Sequence, residues 1–236
     1  GRRETMLKIK LKWYSILLAT IVFVHPIYHA YAVNQRVDVT DDLKKVQTKT
    51  EVQELDGSTS VIERFIGKDG LDYFVVTNKE NNTTTFIKQD RNNVYVYEEE
   101  KLLQTVSKVN QSQMFFDKKY SPTNFMQPLG WGSWHSEGTT SGNITVNNGI
   151  SVGVLAGLIA ITLGLGEFVS LFISTAISII SAKLTQVYYI RKQWHRADTS
   201  NPLLVQYQVT TYFYSVSNFT GYIGNQAVSY IVDYTH

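Results

Sequence analysis

The chain has 236 residues, a net charge of +2 and no cysteine. Without cysteine there are no disulfides, no thiol catalysis and no cysteine-based metal sites. The near-balance of charge leaves no strong basic face for nucleic acid, which binding proteins need to neutralise phosphates.

The first segment reads as a secretory signal. Gly1 to Thr5 precede a plausible start at Met6, Lys8, Lys10 and Lys12 form a positive n-region, and Trp13 to Val24 is an apolar core. That core has about 12 residues, short of the roughly 20 that span a bilayer. Ala30 and Ala32 supply the small residues of a cleavage point, so the mature chain is expected to begin at Val33. The alternative is an uncleaved anchor. The leader through Ala32 holds five bases and one acid, a charge of +4, so the mature chain carries about −2. A secreted chain without cysteine fits export from a bacterium. Asn82, Asn143 and Asn218 each begin an Asn-x-Thr triplet, read here as turn-rich sequence rather than glycan sites.

About 204 mature residues allow one large or two small domains. Val33 to Gln113 is polar and alternating. Strands are expected over Val61–Ile66, Leu71–Thr77, Thr83–Lys88, Asn93–Tyr97 and Leu102–Val109, with Asp41–Lys49 either a short helix or a first strand. Asp56-Gly57, Asp69-Gly70, Asn81-Asn82 and Asn92-Asn93 supply turns. Short gaps imply an antiparallel meander with one polar face. Residues 114–148 contain prolines, glycines and the run Trp131-Gly132-Ser133-Trp134, and read as a linker with little regular structure. Lys118-Lys119 is a candidate protease site, though such pairs are commonly just exposed. Trp131 and Trp134 suit a bilayer interface, or the capped end of a core.

Ile150 to Ala182 is the most informative stretch: apolar throughout, with Glu167 its single charge. Gly149, Gly153 and Gly157 recur every four residues before a break at Gly164 and Gly166. Ser170, Ser174, Ser178 and Ala182 do so after it. Residues four apart share a helix face, and small-residue stripes let helices approach closely in lipid. The pattern predicts a helical hairpin, with halves of about 14–17 residues, or roughly 21–25 Å. Glu167 is expected to open the second helix, where the helix dipole favours an acid. Helices apolar all round are deep core or membrane elements. Lys183, Arg191 and Lys192 follow and could stay at a lipid surface. Gln186–His195, Leu204–Val216 and Gln226–Tyr234 are aromatic, β-branched segments that predict a small antiparallel sheet. The fold class is therefore α+β: a meander at residues 33–113, the hairpin at 149–185, and a second sheet at 186–236.

Chemistry is sparse. His135 with Glu137 could touch a metal, but His135, His195 and His236 more readily suit structural or exposed roles. No Gly-x-Ser-x-Gly elbow, phosphate loop or His-Glu-x-x-His is present. Asp38, Asp41 and Asp42 read as a solvated start. No catalytic constellation, metal site or cofactor is implied, and no enzyme activity is expected.

Signal, polar strand-rich half, Trp-Gly segment, glycine-striped hairpin and aromatic strands, in this order, resemble the large secreted bacteriocins of Gram-positive bacteria, in particular geobacillin-like proteins. The likeness is architectural, covers most of the mature chain and rests on no short motif, so no site residue is carried over. It implies a secreted, unmodified antibacterial protein acting on bacterial membranes, with a surface receptor, an immunity protein or self-association as further partners. The other reading is a cell-envelope binding or immunity protein whose hairpin is an anchor or core. A structural surface protein is a third.

Overall fold

Alternating apolar and polar residues build the first sheet, since successive side chains of a strand point to opposite faces. The computed structural model describes residues 43–108 and 130–234, and those from Lys45 onward belong to one compact unit. Strands β1 (Leu43–Gln53), β2 (Thr59–Gly67), β3 (Asp72–Asn78), β4 (Thr84–Gln89), β5 (Asn93–Glu98) and β6 (Lys101–Ser107) pair in chain order as a six-stranded meander. Of the two expectations for Asp41–Lys49, its described part from Leu43 is the strand. Gly57, Gly70 and Asn82 sit at positive φ in the turns, a conformation that glycine and asparagine tolerate best. Val52, Ile62, Phe74, Val76, Ile87, Val94, Val96 and Val106 are buried on the inner face.

The second sheet has the order β10-β9-β8-β7, formed by β7 (His135–Thr145), β8 (Gln186–Ala197), β9 (Leu204–Tyr214) and β10 (Tyr222–Asp233), all antiparallel. The fold is α+β, with the expected meander, hairpin and second sheet. One correction concerns residues 114–148. Its described end is not a linker, because β7 pairs with β8 from His135↔His195 to Thr145↔Gln186.

The apolar stretch lies between β7 and β8 in sequence. It forms α1 (Val152–Thr162), a 3-10 helix (Gly166–Phe172) and α2 (Ile173–Ser181). Every residue of α1 is buried. One side of α1 rests on the meander, and the 3-10 helix and α2 pack against other parts of its surface. These in turn meet the second sheet. Phe172 stands edge-on to Phe213, Phe168 tilts against Tyr230, and Gln226 Nε2 donates to Thr175 Oγ1 at 3.1 Å. One apolar core runs through all of these layers. The α-helices have 11 and 9 residues, shorter than the sequence suggests, because the 3-10 segment takes up the middle of the stretch.

Candidate functional site

The hairpin is the candidate functional element, and both ends of α1 are held by the meander. At the start, Gly149 turns the chain at φ +81° and Ser151 is extended, its Oγ accepting from Val154 N at 3.2 Å. A second cap comes from far away in sequence. The carboxylate of Glu54, only 8% exposed, accepts from Val152 N at 2.6 Å and Gly153 N at 3.1 Å. A helix start leaves its first amides without partners, and its dipole favours an anion there, so this buried charge is matched by the helix it caps.

The glycine stripe explains how α1 sits so close to the sheet. A Cβ on Gly157 would stand 2.7 Å from Ile87 Cδ1 and 3.3 Å from Phe74, and one on Gly153 would stand 3.1 Å from Val76 Cγ1. In this fold Gly153 and Gly157 therefore face strands, not a second helix. Gly149 contributes a turn, with open space where a side chain would be.

At the far end, Gly164 takes φ +65°. Leu165 N donates to Ala160 O at 2.8 Å, and Gly164 N to Ile161 O at 2.9 Å, the paired bonds of a glycine-terminated helix. Gly166 follows against the carboxylate of Asp72, where a Cβ would collide. Asp72 is held by Arg64, Nε to Oδ1 2.7 Å, with both side chains largely buried. Burial pushes the Asp72 carboxyl above its ordinary value, and the Arg64 guanidinium pulls it part of the way back. Glu167 is within electrostatic reach of both. It does not open the second α-helix; it lies in the first turn of the 3-10 segment, and α2 begins only at Ile173.

The second stripe faces the other way. Ser170, Ser174, Ser178 and Ala182 are all exposed, while α2 buries Thr175, Ala176 and Ile179. Lys183, exposed at φ +52°, closes α2, with Leu184 N donating to Ile179 O at 3.2 Å.

Of the residues expected at an interface, some converge on the outward face of the second sheet. The Arg196 guanidinium lies 5.2 Å from the Trp131 ring and 4.5 Å from that of Trp134, and Lys192 Nζ lies 5.5 Å from the Tyr212 ring. Tyr214 pairs in register with Tyr188 and Tyr222 and packs against Phe219. Arg191 is a correction. It is 7% exposed, on the helix-facing side with Val187 and Tyr189, and so belongs to the interior. His135 stacks on His195, whose Nδ1 meets the carboxylate of Glu137. Among the described residues no group of three or more such side chains is arranged to hold a metal.

The segment expected to be a signal, with Ala30 and Ala32, and also Lys118-Lys119 and His236, lie outside the described residues. No family model, curated protein or solved structure matches the chain. Among the described residues no helix is long and apolar enough to cross a membrane.

Two features could not be found by pattern reading. The Glu54 cap joins positions 98 residues apart in the chain, and its only trace is an acid ahead of the Asp56-Gly57 turn. The Arg196 stack is the other, because nothing in the sequence joins Trp131 and Trp134 to an arginine so far along the chain.

Proposed function

We propose that the chain is a secreted antibacterial protein acting on target-cell membranes, and that the segment from Ile150 to Ala182 is its membrane-inserting hairpin. One observation carries this reading. A helix apolar on every face is buried between the meander and the rest of the hairpin and capped by a buried carboxylate, so its lipid-compatible surface is kept from water until the fold opens. Helices of this composition belong to deep cores or to membranes. A fold that holds one beneath a sheet of polar outer face can travel through water and release it at a bilayer. The aromatic and cationic outer face of the second sheet suits first contact with anionic headgroups.

The test is depolarisation of related Gram-positive cells by the purified chain from Val33 to His236. Rapid loss of potential is the expected result; intact potential across several species sinks the reading. Exchanging Gly153 and Gly157 for leucine would disturb the folded chain itself, because both glycines pack against strands of the meander. Ser174→Leu with Ser178→Leu is the cleaner choice, since both residues are exposed.

A second reading has its own support: the hairpin as a whole is also what packs against both sheets within one core. A cell-envelope binding or immunity protein would use the hairpin in that way only. It would stay with the membrane fraction of the producing cell, whereas a toxin leaves in soluble form.

A further inference from the structure

Beyond the N-terminal end of α1, the inner face of the meander turns from apolar to polar. The register sets Ser60 opposite Asn78 and Thr85 opposite Glu98. These strands, β6 and the segment 147–151 line a half-open cavity of about 440 Å³, within the ~300–1,000 Å³ typical of small-molecule sites. Its wall is built of neutral polar groups: the amides of Asn78, Gln104 and Asn148, and the hydroxyls of Ser60, Thr85 and Ser151. Val76, Val96 and Val154 give it an apolar floor. Among the described residues no lysine, arginine or histidine lines it, while the exposed carboxylates Asp56 and Glu98 do.

Gln104 is a fixed part of that wall. It is 7% exposed, and its Nε2 donates to the carbonyl of Thr145. Its Oε1 is closed off from any group the size of water, so the polar contacts open to a ligand come from the other amides and hydroxyls of the wall.

We propose that this cavity is a binding site for an uncharged sugar. Ring hydroxyls donate and accept, as a wall of amides and hydroxyls requires, and the C–H face of the ring suits the valine floor. An anionic ligand would meet two carboxylates and no cation. A purely apolar one would strip water from the wall's amides and hydroxyls without replacing it. Ser151 and Val154 belong to the start of α1, so a bound sugar touches the same helix end that Glu54 caps. The site does not depend on the membrane reading, because its readout is binding and not killing.

The experiment is saturation-transfer NMR and calorimetry on the full chain. The probes are glucose, galactose, N-acetylglucosamine, maltose and chitobiose, with glucose 6-phosphate as the charged control. Saturable binding of at least one neutral sugar is expected, with the phosphate ester about tenfold weaker or more. Thr85→Val, which removes a hydroxyl from the wall and keeps its shape, should weaken binding about tenfold, as loss of one buried polar contact does. Asn148→Trp, at an exposed position on the wall, should block the site without touching the core. No saturable binding by the folded chain at concentrations on the order of 10 mM would overturn the proposal. So would equal binding of glucose 6-phosphate, or binding unchanged in both variants.

Discussion

The two helices of the hairpin are of similar length but differ in composition and position. α1 is buried at all 11 residues and meets strands of the meander, whereas α2 buries Thr175, Ala176 and Ile179 and turns its serines to solvent. A helix on which every side is occupied is a core element that nothing can replace. One that is covered on a single side is a cover that can lift. Opening the fold from the α2 side would disturb fewer contacts than pulling α1 off the sheet.

The sharpest way to break that contrast is to place the same bulky residue on each helix. Gly157→Leu drives a side chain into Ile87 and Phe74 and should cost about 3 kcal/mol, a fall in Tm of roughly 6–12 °C for a chain of this size. Calorimetry checks it; an unchanged Tm would mean that α1 does not sit on the sheet. Glu54→Ala comes next. It strips two hydrogen bonds from the start of α1 and should cost about 2 kcal/mol. If the hairpin is what inserts, the same variant should depolarise cells faster, and vesicle leakage assays would register the difference.

Ser178→Leu is the partner of the first experiment. Stability should move by no more than about 0.5 kcal/mol, so a large drop in urea midpoint would contradict the exposed placement of α2. The smallest effect is a pH dependence at Asp72. Its folded pKa is raised above the unfolded value, so the folded state binds this proton more readily. The penalty of the buried charge is present at neutral pH and is relieved as pH falls through the raised value. Asp72 therefore favours the fold on mild acidification. Asp72→Asn should flatten that part of the profile of urea midpoint against pH; an unaltered profile would remove Asp72 from the account.

Much of this fold was legible in the sequence, for identifiable reasons. The expected strands in both sheets are present because alternation and turn residues act locally. β7 was hidden because it is an edge strand of serine, threonine and glycine with Ile144 as its one buried residue, which leaves almost no alternation to read. The periodicity of the glycines fixed a face of α1 but not its neighbour, and the neighbour proved to be a sheet. Arg191 could have been placed by parity, since it shares its side of β8 with Val187 and Tyr189 while Lys192 does not. The sugar-sized cavity was out of reach, because its wall gathers residues from strands and a loop that only the folded topology brings together.

The order of elements along the chain also sets an order of assembly. The meander pairs each strand with its sequence neighbour, so it can form from local contacts, which close quickly, while later residues are still being made. The most apolar segment then emerges with its dock and its capping carboxylate already in place. β8 cannot complete the second sheet with β7 until the hairpin between them has been laid down. A chain that folds in this sequence exposes its stickiest helix to water for the shortest time, which is the interval in which such segments aggregate.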